Sequence, residues 1–279
     1  MTSDSNLPDR PKLRPVEVSR VTHEGNDYFL LKDLRRLNDQ SLMVPVPLGL
    51  YLQGIDGTNT LNEITKAAIS AGAPEFPQET LDELISRLDD MLLLSNGKYS
   101  VEMEQRLDIY RSAPERTPAL ADLAYPSNTD DLRGYLDEFA FPYMNDDAMA
   151  DNDLPAGVEL KAVISPHIDF ERGGDSYGMI WEQVSDQLKD VELVVVFGTD
   201  HNGEGPRLTL TNQDYRTPLG MLDTDTELVD EIALILSTDS TIDDHPFADE
   251  FNHANEHSIE LATVWLHRAI GNSDAKMLP

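Results

Sequence analysis

Apolar residues recur along this chain in two textures, and the change falls near Ala119. In the first part, Val16 to Val21 and Tyr28-Phe29-Leu30-Leu31 are short strand-like runs joined by Glu24-Gly25-Asn26, which predicts a hairpin over 16–31. Thr60 followed by Glu63 is a capping box, so a helix starts there and stops near Gly72. Leu81, Leu84, Ile85, Leu88, Met91 and Leu92 share one face at helical spacing and predict a second helix from Gln78 to Leu94. Ser95-Asn96-Gly97 then reads as a turn into a short strand ending near Tyr99.

From Ala119 onward, helical and strand-like stretches alternate. Helices are expected at Leu132–Phe141, Asp175–Leu188, Asp225–Ile235 and Glu256–Ile270. Strands are expected at Val158–Ser165, Val191–Gly198 and Arg207–Thr211, with an acidic loop at Asn145–Pro155. The Val-rich run 191–198 has the look of a strand covered on both faces. This alternation predicts a layered α/β/α domain with a mostly parallel sheet, preceded by a small winged-helix-like α+β domain. The expected division is a disordered tail over 1–12, a small domain over 13–100, a linker over 101–118 with a helical start, and the α/β domain over 119–279.

Charge narrows the function. Acidic residues number 52 against 21 basic ones, for a net charge of -31. Such a surface repels phosphates and anionic lipids, so neither nucleic acid nor membrane is an expected partner. The acid is spread along the chain, as in Asp89-Asp90, Asp130-Asp131, Asp146-Asp147 and Asp243-Asp244, which reads as a solvated surface. No apolar run reaches the ~18 residues of a membrane span, and Met1 to Pro11 lacks the apolar stretch of a secretion signal. A cytoplasmic location is expected. The absence of cysteine excludes disulfides, zinc–thiolate sites and thiol nucleophiles within this chain.

Candidate chemistry gathers at strand ends, where open α/β sheets bind ligands. One strand leads into Pro166-His167-Ile168-Asp169 and another into Thr199-Asp200-His201-Asn202. Imidazole and carboxylate together suit iron, zinc or manganese. We therefore take His167, His201, Asp169 and Asp200 as candidate metal ligands. A third cluster holds His253, His257 and Glu260; the last two are three residues apart on one helix face. His257 with Glu260 can serve as an acid–base pair beside the metal, while His257 as a helix cap is the plainer reading. Arg216 can clamp a substrate carboxylate, or simply sit in a surface turn. Gly173-Gly174 before a helix can open amides to an anion but matches no phosphate-loop pattern.

Several stretches, taken in order, resemble the Memo family, also known as system protein B of the AmmeMemoRadiSam group. They are Leu123-Ala124-Tyr125-Pro126, Ser165-Pro166-His167 through Gly173-Gly174, Phe197-Gly198-Thr199-Asp200-His201, Thr217-Pro218-Leu219-Gly220 with Asp225, and Glu256-His257-Ser258-Ile259-Glu260. The resemblance implies a fold similar to class III extradiol dioxygenases and a metal cleft for iron or copper. Three departures stand out. His-Ile-Asp-Phe replaces His-Ala-Gly-Tyr, Asp-His-Asn stands where some members have His-His, and the second half of the family's domain, with its cysteine, has no counterpart. Residues 13–100, with Asp56-Gly57, Thr60 and Glu63-Ile64, resemble the small peptide-binding PqqD-type domains.

Together these readings make a non-haem-metal-dependent oxidoreductase acting on a small molecule or peptide the first expectation. A non-catalytic module that binds a peptide or anion through Arg216 is the second. An accessory role beside a radical-SAM partner, with residues 13–100 docking the peptide, is the third.

Overall fold

The computed structural model describes residues 8–144, 159–203, 208–238, 245–271 and 273–279. The expected loop Asn145–Pro155, the first residues of the runs at Val158 and Arg207, and the Asp243-Asp244 pair lie outside the described residues. The chain divides into two compact units, one ending at Asp108 and one running from Ile109 to Pro279.

In the first unit, β1 (Val16–His23), β2 (Asn26–Asp33) and β3 (Ser41–Pro45) form an antiparallel sheet in that order. The turn between β1 and β2 needs positive φ at Glu24 (50°) and Gly25 (79°), the geometry that matches the strand twist. Sequence reading did not foresee β3. Helices α1 (Gly49–Gln53), α2 (Leu61–Ser70) and α3 (Gln78–Asp90) follow, and then α4 (Gly97–Ser112), whose last turn lies past Asp108. The Thr60/Glu63 capping box is present at α2. The α3 stripe Leu81, Leu84, Ile85 and Leu88 is buried against Leu31, Tyr51 and Ile64. Where a strand near Tyr99 was expected, α4 stands instead. Asn96 accepts a hydrogen bond from Tyr99 N–H at 3.0 Å and so starts a helix rather than a turn. Residues 8–12, expected in the disordered tail, are described: Gly57 N–H donates to Pro11 O at 2.9 Å, and Ser95 N–H donates to Lys12 O at 2.8 Å.

The second unit contains α5 (Thr129–Met144), α6 (Phe170–Leu188), β4 (Leu193–Val195), β5 (Tyr215–Thr217), β6 (Gly220–Leu222), α7 (Thr226–Thr238), α8 (His257–Ile270) and β7 (Lys276–Leu278). Its core packs Leu132, Leu136 and Ala140 of α5 with Phe170, Tyr177 and Trp181 of α6 and with Val264 and Trp265 of α8. Glycines set the α5–α6 approach. A Cβ on Gly178 would lie 2.2 Å from Phe139 O, and one on Gly174 would lie 2.4 Å from the Phe139 ring. Of the double glycine, Gly174 thus serves the α5–α6 packing, while Gly173 lies against Ile168 and Tyr177. β4 pairs in parallel with β7, and β5 pairs antiparallel with β6. The architecture is mixed α/β. Among the described residues, the expected strands over 159–165 and 208–211 are not formed, and the Val-rich run pairs with β7 alone. Leu193 and Val195 are exposed rather than covered on both faces.

Candidate metal centre

Three histidines distant in sequence meet in the second unit. Beyond β4 the backbone continues past Gly198 toward the start of α8. A Cβ on Gly198 would lie 2.4 Å from Ile259 Cγ1 and 2.6 Å from Ser258 Oγ, so only glycine allows this approach. Thr199 N–H then donates to Ser258 Oγ at 2.8 Å, and His201 N–H donates to a Glu256 oxygen at 3.1 Å. These bonds tie His201 to the helix end that carries His257. His167 arrives from the irregular segment before α6. The ring centroids of His201 and His257 are 4.3 Å apart and stacked, and His167 lies 5.4 Å and 5.7 Å from them. One ring nitrogen from each of the three lies within 4.8 Å of the others.

Glu256 organises two of these rings. It is the N-cap of α8, accepting Ser258 N–H at 2.8 Å. The same carboxylate lies 2.9 Å from His201 Nδ1 and 3.5 Å from His257 Nδ1. With His201 Nδ1 bonded to it, the His201 Nε2 lone pair is the free one, as when a carboxylate fixes the tautomer of a metal-binding histidine. Burial pushes the Glu256 carboxyl up, but hydrogen bonds from Ser258 and His201 more than offset this and hold it below the usual range. Burial, joined by the neighbouring His201 and His167, holds His257 below the ordinary imidazole value despite Glu256, which favours the neutral, ligating form.

The other candidates stand elsewhere. Asp169 caps α6, accepting Arg172 N–H at 3.0 Å and pairing with the Arg172 side chain. Asp200 accepts Asn252 Nδ2 at 3.0 Å, Asn202 N–H at 3.1 Å and Thr209 Oγ1 at 3.2 Å. Among the described residues neither aspartate joins the three-imidazole group. Glu260 is 1% exposed and takes four donors: Arg116 at 2.5 Å, the Ala119 and Leu120 amides at 2.8 Å each, and Tyr125 Oη. Arg216 forms a two-pronged pair with Glu115, with Nη2 2.6 Å from Oε2. Glu256 enters the sequence pattern only within a motif and Arg116 falls in the expected linker; the acidic residue directly before a helix start is the available signal for the first. An apolar cavity of about 200 Å³ runs from Val196 and Gly198 to Leu210, Asn252 and Leu278; Asp200 and Glu256 line it, while His167, His201 and His257 do not.

A family model described as Memo-like protein matches residues 116–279. The chain belongs to the Memo family. A Memo relative from Aquifex aeolicus is 24% identical over 257 residues, which is 92% of this chain and 62% of that protein. Memo relatives from Archaeoglobus fulgidus and Methanopyrus kandleri are 27% and 31% identical over 164 residues each, covering 59% and 57% of this chain and 52% and 53% of theirs. The chain thus spans about half to three-fifths of the length of these Memo relatives. The Aquifex match extends well before residue 116, so resemblance to that Memo protein also takes in much of the first unit.

Proposed function

We propose that the second unit holds one transition-metal ion, iron or copper, on His167, His201 and His257. The observation that carries this is the meeting of three imidazoles, from a loop, a strand extension and a helix start, with a buried carboxylate behind two of them. The donor chemistry fits. Neutral imidazoles suit copper, iron and zinc, and three ligands leave positions open. About a metal with bonds of about 2.1 Å the nitrogens would stand about 3.0–3.4 Å apart. The 4.8 Å spread therefore asks the rings to close inward. His167 is exposed on an irregular segment and has the freedom to do so.

When bound, such an ion would supply redox or Lewis-acid chemistry to a molecule in its open positions. The chain's own contribution is alignment. Glu256 orients His201 and lies against His257, and the same carboxylate lines an apolar cavity with room for a small apolar group. This supports the reading of a non-haem-metal-dependent oxidoreductase with an extradiol-dioxygenase-like domain. Arg216, the anchor of the anion-binding reading, is paired with Glu115, and an anion there would have to displace that carboxylate.

The test is elemental analysis of the anaerobically purified full chain beside His167→Ala, His201→Ala and His257→Ala, with folding checked by circular dichroism. About one equivalent of iron or copper in the wild type, lost in each variant, is the expected result. A folded wild type that takes up no metal on reconstitution would overturn it, and one equivalent of zinc would remove the redox part.

A further inference from the structure

We infer that Arg116 is the positioning residue of the histidine centre, acting through the turn that carries Glu256 and His257. This rests on the metal reading above. Arg116 is 2% exposed, and its guanidinium makes four hydrogen bonds, one of them from Nη1 to Thr117 O at 3.3 Å. Nε donates to His253 O at 2.6 Å, Nη2 donates to Glu256 O at 3.2 Å, and Nη2 also reaches Glu260 Oε2 at 2.5 Å. The two carbonyls bracket residues 253–256, and Glu260 lies in the first turn of α8. One planar group therefore fixes both ends of the turn against the helix it introduces. Glu256 leaves that turn to orient two imidazoles, and His257 begins the helix.

The fork is itself held. Arg116 N–H donates to Asp214 O at 2.7 Å, and Arg216 N–H donates to Arg116 O at 3.0 Å. Its guanidinium lies 4.8 Å from the Tyr215 ring centroid. Tyr215 Oη meets His253 Nδ1 at 2.7 Å, and His253 Nε2 meets Thr209 O at 2.9 Å. A carbonyl only accepts, so Nε2 carries the proton and Nδ1 accepts from Tyr215. Arg116, Tyr215 and His253 thus form a closed set that leaves the turn little play. A lysine would place one point charge where this site uses separate, rigidly spaced N–H groups.

A purely structural ion pair would affect stability alone; a positioning residue must also affect the metal. The experiment is a cobalt(II) titration of the full chain, read from visible absorption, with thermal melts of the metal-free proteins. Arg116→Lys should stay folded and bind cobalt about 10–100-fold more weakly. Tyr125→Phe, which removes a donor to Glu260 but no contact to the turn, should lower the melting temperature and leave cobalt affinity within about threefold. If Arg116→Lys does not fold, the double variant Arg116→Met with Glu260→Met removes both charges together, a change that buried pairs often tolerate; it should show the same loss of affinity. A folded Arg116→Lys or double variant that binds cobalt as the wild type does would overturn the positioning role and leave the metal centre standing. A wild type that binds no cobalt would overturn both.

Discussion

The two units each bury an arginine–carboxylate pair and use it differently. In the first, Arg14 and Asp33 meet at 2.9 Å with side chains 5% and 1% exposed. Arg14 also bonds Leu92 O, and Asp33 accepts the Leu37 and Arg35 amides. Every partner is a piece of local scaffold, and apart from this pair the buried side chains among the unit's described residues are apolar. In the second, Arg116 and Glu260 are each 1% exposed at the side chain and sit amid buried Glu256, Asn252, His253 and Glu250. A buried pair alone is weak evidence of function. A buried pair inside a crowd of buried polar groups, next to half-exposed imidazoles, is the arrangement functional sites favour. The comparison separates a charge that closes a core from one that braces the turn beside three imidazoles.

The sharpest way to break this comparison is to delete each arginine. Arg14→Ala and Arg116→Ala each strand a buried carboxylate, and each should cost about 3–5 kcal/mol in urea unfolding. Only Arg116→Ala should also change metal content. Both tryptophans, Trp181 and Trp265, lie in the second unit, so fluorescence reports that unit while circular dichroism reports both. Next in size is Gly198→Ala. The added methyl would press on Ile259, cost about 1–3 kcal/mol and shift the fluorescence transition. Thr60→Ala removes the α2 cap and should cost about 1 kcal/mol in the first unit, leaving the fluorescence transition unmoved.

The smallest effect is graded with pH. Burial holds His253 and His267 below the ordinary 6.5, with Arg116 and Arg133 adding to it. Their folded pKa values lie below their unfolded ones, so the unfolded chain binds more protons in the window below pH 6.5. The second unit should keep its full stability above pH 6.5 and lose it as pH falls. In the first unit, Asp56 and Glu63 are held below 3.8 and 4.5, first by hydrogen bonds from Thr58 and Thr60. Their contribution stays until the pH falls past those values. Fluorescence melts at pH 7 and 5.5 should therefore differ, while the first unit's transition stays put. Equal shifts in both units would remove the distinction.

Legibility followed distance along the chain. The capping box at Thr60, the α3 stripe and the span of α8 are encoded within a few residues, and sequence reading located them. β3 was missed because Ser41–Pro45 is short and contains no strong β signal beyond Val44. Tyr99 was assigned to a strand because the turn signal at Asn96-Gly97 is also a helix-start signal. The Val191–Gly198 run looked like a fully covered strand, but what covers a strand is decided by residues far away in sequence. The centre shows the same limit. His167 and His201 were visible as strand-end histidines. That His257 completes the group, while Asp169 caps a helix and Glu260 answers a distant arginine, depends on how α6 and α8 approach each other. Arg116, in a stretch that reads as linker, could be recognised only through its contacts.

Glu256 does two jobs with one carboxylate, capping α8 and steadying two imidazoles. The first turn of α8 and the geometry of the histidines are thus fastened at a single point, so fraying of one releases the other. Amide hydrogens at Ile259 to Leu261 should exchange with solvent more slowly once the histidines are held together, and replacing Glu256 with alanine should make their exchange fast and insensitive to whatever the histidines hold.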